Sequence, residues 1–189
     1  MANSQFHDED IKIATVSSDN VRKEKQKWAA DDNIDLFILQ RSIGNTDRAR
    51  ALGDLFVEDL SHCVWTKPPA DVDEDEYELQ LRLLFAYVVH RIVEDHSPNH
   101  ILAHAALSYF YERLEAHAEP VFKAINASPA FSLYLYLHRC GEERAQTVGK
   151  TFAKLCRAEQ NIDCAIIGES GYARFYGLCA QRILSAGYR

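Results

Sequence analysis

The chain reads as all-α, a single-domain multi-helix bundle of about seven or eight helices. Three observations lead there. Apolar residues recur at spacings of three and four over nearly everything after residue 20. Cap residues and prolines stand where helices would start, and glycines where they would end. Only IKIATV, residues 11–16, alternates like a strand, and a lone short strand fits an extended N-terminal tail over 1–18.

The helical domain then runs over 19–189. Ser18-Asp19 can cap a first helix through VRKEKQKWAA, mostly polar and docking through Trp28. DNIDLFILQRSI follows, capped among Asp31, Asp32 and Asn33 and closed by Gly44-Asn45. Thr46-Asp47 opens the next, with Ala49, Leu52, Leu55, Phe56 and Leu60 on one face. Pro68-Pro69 sits in a linker near 65–73, and the acidic run beginning at Asp71 fits the first turn of a following helix. That helix, about Glu74 to Asp95, is apolar nearly all round, which marks a central element.

Ser97-Pro98 breaks the chain, with Ser97 as the expected cap of the next helix. Pro120 and Pro129 each start a further helix, the second with Ser128 as cap and Cys140-Gly141 as its end. From Glu142 a basic amphipathic helix is expected, with Glu143, Thr147, Lys150, Lys154 and Arg157 along a solvated stripe. In the last segment Gly168, Gly171 and Gly177 signal either close helix approach or a break near Ser170-Gly171.

Bulk properties exclude several function classes. The net charge of −7 opposes non-specific nucleic-acid binding. No apolar run approaches the roughly 20 residues of a membrane helix, and the first residues lack the basic flank and apolar core of an export signal. The charge is unevenly spread: residues 71–119 carry 3 basic and 11 acidic side chains, residues 120–189 carry 9 and 5. The simplest expectation is that these segments face each other; the alternative is two differently charged partner surfaces. Five cysteines without C-x-x-C spacing read as reduced thiols, most of them packed, in a cytoplasmic protein.

One stretch concentrates chemistry. HRIVEDHSPNHILAH, residues 90–104, holds four of the eight histidines. If the helices on either side of Ser97-Pro98 pack antiparallel, His90/Glu94 and His100/His104 lie at matched depth. Three imidazoles and a carboxylate form a set suited to a divalent metal such as zinc. Against that, His100 and His104 share a stripe with Ser108, Glu112 and Glu115 that faces away from the apolar arc. Neither H-E-x-x-H nor a repeated E-x-x-H occurs. Both pairs are expected to face water. Arg82, Arg113 and His117 lie within apolar arcs, where they either pair with carboxylates or line a pocket for an acidic ligand.

No G-x-S-x-G, phosphate loop or nucleophilic cysteine setting is present. The residues therefore point to a non-catalytic cytosolic interaction or regulatory protein without a cofactor, binding a protein partner or a second copy of itself. The alternatives are a metal-dependent hydrolase using His90, Glu94, His100 and His104, and a sensor of small acidic ligands using Arg82, Arg113 and His117.

Overall fold

A computed structural model describes residues 33–189. The tail, the alternating stretch at 11–16 and the helix carrying Trp28 lie outside the described residues. The described part of α1, residues 33–42, is followed by a turn at Gly44, whose φ is 76°. Then come α2 (Asn45–Ser61), α3 (Glu74–His96), α4 (His100–His117), α5 (Glu119–Ala127), α6 (Pro129–Arg139), α7 (Ala145–Leu155) and α8 (Ile162–Ser185). No strand occurs among the described residues. None of their helices is long and apolar enough to cross a membrane.

The starts follow local hydrogen-bonding chemistry. Asp73 caps α3, its carboxylate accepting the Glu76 N–H at 2.9 Å, and Glu74, Asp75 and Glu76 meet the positive end of the helix. Ser128 caps α6 by accepting the Ala130 N–H, with Pro129 in the first position. One expectation is corrected: Ser97 does not cap α4. Asn99 does, accepting the Leu102 N–H at 3.1 Å, while Ser97 closes α3 with extended backbone. The residue before proline avoids helical angles, so Ser97 adopts φ −68°, ψ 143° and the new helix waits two residues.

Residues 40–189 form one compact unit; residues 33–39 belong to the unit before it, where Ile34, Phe37, Ile38 and Leu39 are exposed. Inside the larger unit α3 is the central element. Leu83 through Val89 are buried without interruption, and α3 touches α2, α4, α5, α6, α7 and α8. A helix surrounded in this way has no amphipathic face to present, which is why its apolar residues run all round.

The closest helix pairing is α7 with α8. A methyl added to Gly149 would lie 2.4 Å from the Ala165 carbonyl oxygen, and one added to Gly168 would lie 2.5 Å from Phe152 Cβ. Glycine therefore sets how near these two axes come. Gly171 likewise admits the Trp65 ring, and α8 runs unbroken through all three glycines, so of the two alternatives close approach is found and a break near Ser170-Gly171 is not.

Candidate functional site

Of the four residues suited to a metal, His90 is turned inward. Its Nδ1 lies 2.9 Å from the Tyr111 hydroxyl and its Nε2 lies 3.4 Å from Glu94. A neutral ring serves both contacts, Nδ1 accepting from Tyr111 and Nε2–H facing the carboxylate. Burial lowers the His90 pKa, outweighing Glu94, which raises it. His100 and His104 are exposed, and His104 meets Ser108 one turn on. Among the described residues no three His, Cys, Asp or Glu side chains are grouped to hold a metal ion, so the four do not converge. The physical reason is that α4 turns its polar stripe to solvent while His90 is taken up by a tyrosine of that same helix.

The residues suited to an acidic ligand are engaged separately. Arg82 pairs with Glu78 at 2.9 Å, and Arg113 with Asp54 of α2 at 2.8 Å; His117 is exposed. None of the three lines either of two surface clefts, of about 320 and 620 Å³, beside Trp65 and beside Asn161.

What the fold does bring together is a largely buried carboxylate. Glu143 stands in the loop between α6 and α7, just after Gly141 turns the chain at φ 68°. Its side chain is 11% exposed. Oε1 accepts from the Tyr87 hydroxyl of α3 and, at 3.0 Å, from the Tyr172 hydroxyl of α8. Oε2 lies 2.8 Å from His138 Nδ1, on the last turn of α6, and 3.3 Å from Arg91 Nε of α3. Arg91 also pairs with Asp95 one turn on.

Arg91 Nε is 2.9 Å from His138 Nδ1 as well. That nitrogen cannot both accept from Arg91 and donate to Glu143. The carboxylate carries the charge, so we place the proton on Nδ1 and regard the nitrogen–nitrogen approach as close packing around a shared anion.

The electrostatics follow. Burial raises the Glu143 pKa, but donors from Tyr87, His138 and Tyr172 together with the Arg91 charge outweigh it and hold the carboxyl below its ordinary value. The same contacts, with burial the largest cause, push both tyrosines well above theirs, so neither is a phenolate nucleophile. With every acceptor site of Glu143 filled, the cluster is a clamp joining three helices to one loop. The expected solvated stripe from Glu143 to Arg157 is corrected at its first member: α7 starts at Ala145, and Glu143 folds inward ahead of it. A signal for this was present. Arg91 is one of two arginines on a helix apolar nearly all round, and a cation in such surroundings needs an anion.

The second feature is on the surface of α8. Ile162, Ile166 and Leu184 are 73%, 53% and 85% exposed, and Ala173 between them is also exposed. With Ala180 they lie within about 40° of one another around the helix.

No family model, curated protein or solved structure matches the chain.

The stripe is palindromic. Counted from Ala173, apolar positions fall seven and eleven residues away in both directions: Ile166 and Ile162 one way, Ala180 and Leu184 the other. Along α8 the acids Asp163 and Glu169 precede the bases Arg174 and Arg182, of which Arg174 lies over the Trp65 ring and Arg182 is held by Asp59 of α2.

Proposed function

We propose that this chain is a non-catalytic helical interaction protein that self-associates through α8. The observation that carries the reading is the palindromic apolar stripe. A two-fold interface uses the same patch twice, each residue meeting its mirror position on the copy. Two antiparallel α8 helices related about Ala173 set Ile162 against Leu184 and Ile166 against Ala180. Alanine at the centre lets the axes approach.

Size sets the strength. The helix is about 36 Å long at 1.5 Å per residue, and a single helix pair falls at the low end of specific interfaces, so the association is reversible and concentration-dependent. A cytosolic setting fits the five unpaired cysteines.

Sedimentation velocity on the full chain across a hundredfold range of concentration tests the reading. The expected result is a monomer–dimer equilibrium. Ile166→Glu removes an apolar contact from both copies, weakening the dimer by about a hundredfold at ~1.5 kcal/mol per side chain. It leaves the monomer folded, because Ile166 is exposed there. A monomer at every concentration, or an unchanged dimer in the variant, would sink the proposal.

A further inference from the structure

The close packing of α7 on α8 fixes a register that brings two cysteines together. Phe152 faces Gly168. One turn farther along each helix, four residues on from Phe152 and four back from Gly168, stand Cys156 and Cys164. Both are free thiols, 4% and 0% exposed, and each is the largest influence on the other's proton affinity. The turn between them holds Arg157 at φ 56°. Tyr134, fully buried and with no hydrogen-bond partner for its hydroxyl, has these two thiols as its electrostatic neighbours.

We propose that Cys156 and Cys164 are a redox modification site, oxidised by hydrogen peroxide to an intramolecular disulfide that ties the end of α7 to the start of α8. Burial selects a small oxidant over a bulky disulfide. Cys164 is the attacking sulfur. It lies in the first turn of α8, where the helix dipole favours a thiolate, and Cys156 lowers its pKa against the effect of burial. Cys156 is pushed far up by Cys164 and by burial, so it holds its proton.

The Cys164 thiolate attacks one peroxide oxygen and the O–O bond breaks. The departing hydroxide takes the Cys156 proton and leaves as water. The Cys156 thiolate then attacks sulfur of the Cys164 sulfenic acid, the S–O bond breaks, and the second hydroxide leaves as water with a proton from solvent. Two thiols and one peroxide become one disulfide and two waters. The remaining buried thiols are poor competitors: burial pushes Cys63 up to about 12 and Cys179 higher still.

The test uses the full chain carrying Cys140→Ser, which removes the exposed thiol. Protein treated with peroxide is alkylated in denaturant and cut with trypsin, which cleaves after Arg157, between the two cysteines. The expected product is the 155–157 peptide joined to the 158–174 peptide, lighter by two hydrogens and separated by dithiothreitol. Recovery of both cysteines as alkylated thiols, as unlinked sulfinic acids, or linked to Cys63 or Cys179 would overturn the proposal. This arm changes only an exposed side chain, so it does not depend on a core variant folding. In the second arm, Cys156→Ser leaves a sulfenic acid on Cys164 that dimedone traps. Equal trapping at Cys156 in the Cys164→Ser variant would overturn the assignment of the attacking sulfur.

Discussion

Glu143 shows how one side chain can hold several elements. It accepts from two tyrosines, a histidine and an arginine, so its removal strands donors on α3, α6 and α8 together. Glu143→Gln keeps the shape but loses the charge that balances Arg91. Breaking a largely buried, hydrogen-bonded ion pair costs about 2–4 kcal/mol. In a chain of this size that lowers Tm by about 5–12 °C. The pH dependence has a definite sign. The folded pKa of Glu143 is depressed, so its contribution is complete above the unfolded value near ~4.3 and fades as pH falls through the folded value. The gap between wild type and variant should therefore narrow under acid. Thermal melts from pH 7 down to pH 3 that show a constant gap, or none, would contradict the clamp.

At the scale of elements, the α7–α8 pair and the exposed half of α8 make opposite demands on the same residue type. Gly149 has the Ala165 carbonyl at its back, whereas nothing lies within 4 Å of a Cβ on Gly177. Gly149→Ala gains about 1 kcal/mol of helix propensity but must push two backbones apart, for a net loss of about 2 kcal/mol. Gly177→Ala meets no obstacle and should stabilise dilute monomeric protein by up to ~1 kcal/mol. Denaturant titrations check both, and two shifts of the same sign would show that packing does not distinguish them. These elements also show what sequence could and could not reveal. The starts of α3 and α6 were legible because Asp73 and Ser128 act on amides two or three residues away, and α3 was recognisable as central from its own apolar pattern. The inward turn of Glu143 was not, because its partners come from residues 87, 91, 138 and 172. The orientation of His90, Glu94, His100 and His104 was not legible for a similar reason: spacing fixes depth along a helix but not which way a neighbouring helix is rotated, and His90 lies against Tyr111.

Over the whole molecule, the uneven charge is not cancelled as expected from segments that face each other. The ion pair of Arg91 with Glu143 joins a base of the acidic segment to an acid of the basic one, and Arg182 reaches Asp59 of α2. Among the ion pairs of the described residues, the acid of the 71–119 segment that meets a base of the 120–189 segment is Glu119, with Lys123 one turn away. The charges of the two segments are instead met largely inside each segment, as in Arg82 with Glu78, Arg91 with Asp95 and Lys154 with Glu159. The proposed self-association through α8 would also couple to stability, since anything that binds only the folded chain raises its melting temperature by mass action. Wild type should melt higher as concentration rises, and the Ile166→Glu variant should not; calorimetry at two well-separated concentrations distinguishes them. The tight α7–α8 pairing has a kinetic side as well. Its two strands of chain are joined by a turn of only a few residues, so it closes at small entropic cost and can form early as a helical hairpin. The pairing of α3 with α8 must instead gather residues far apart in the chain, and contacts of that range set the slower pace of folding. The hairpin thus supplies a ready-made surface on which the central helix can settle.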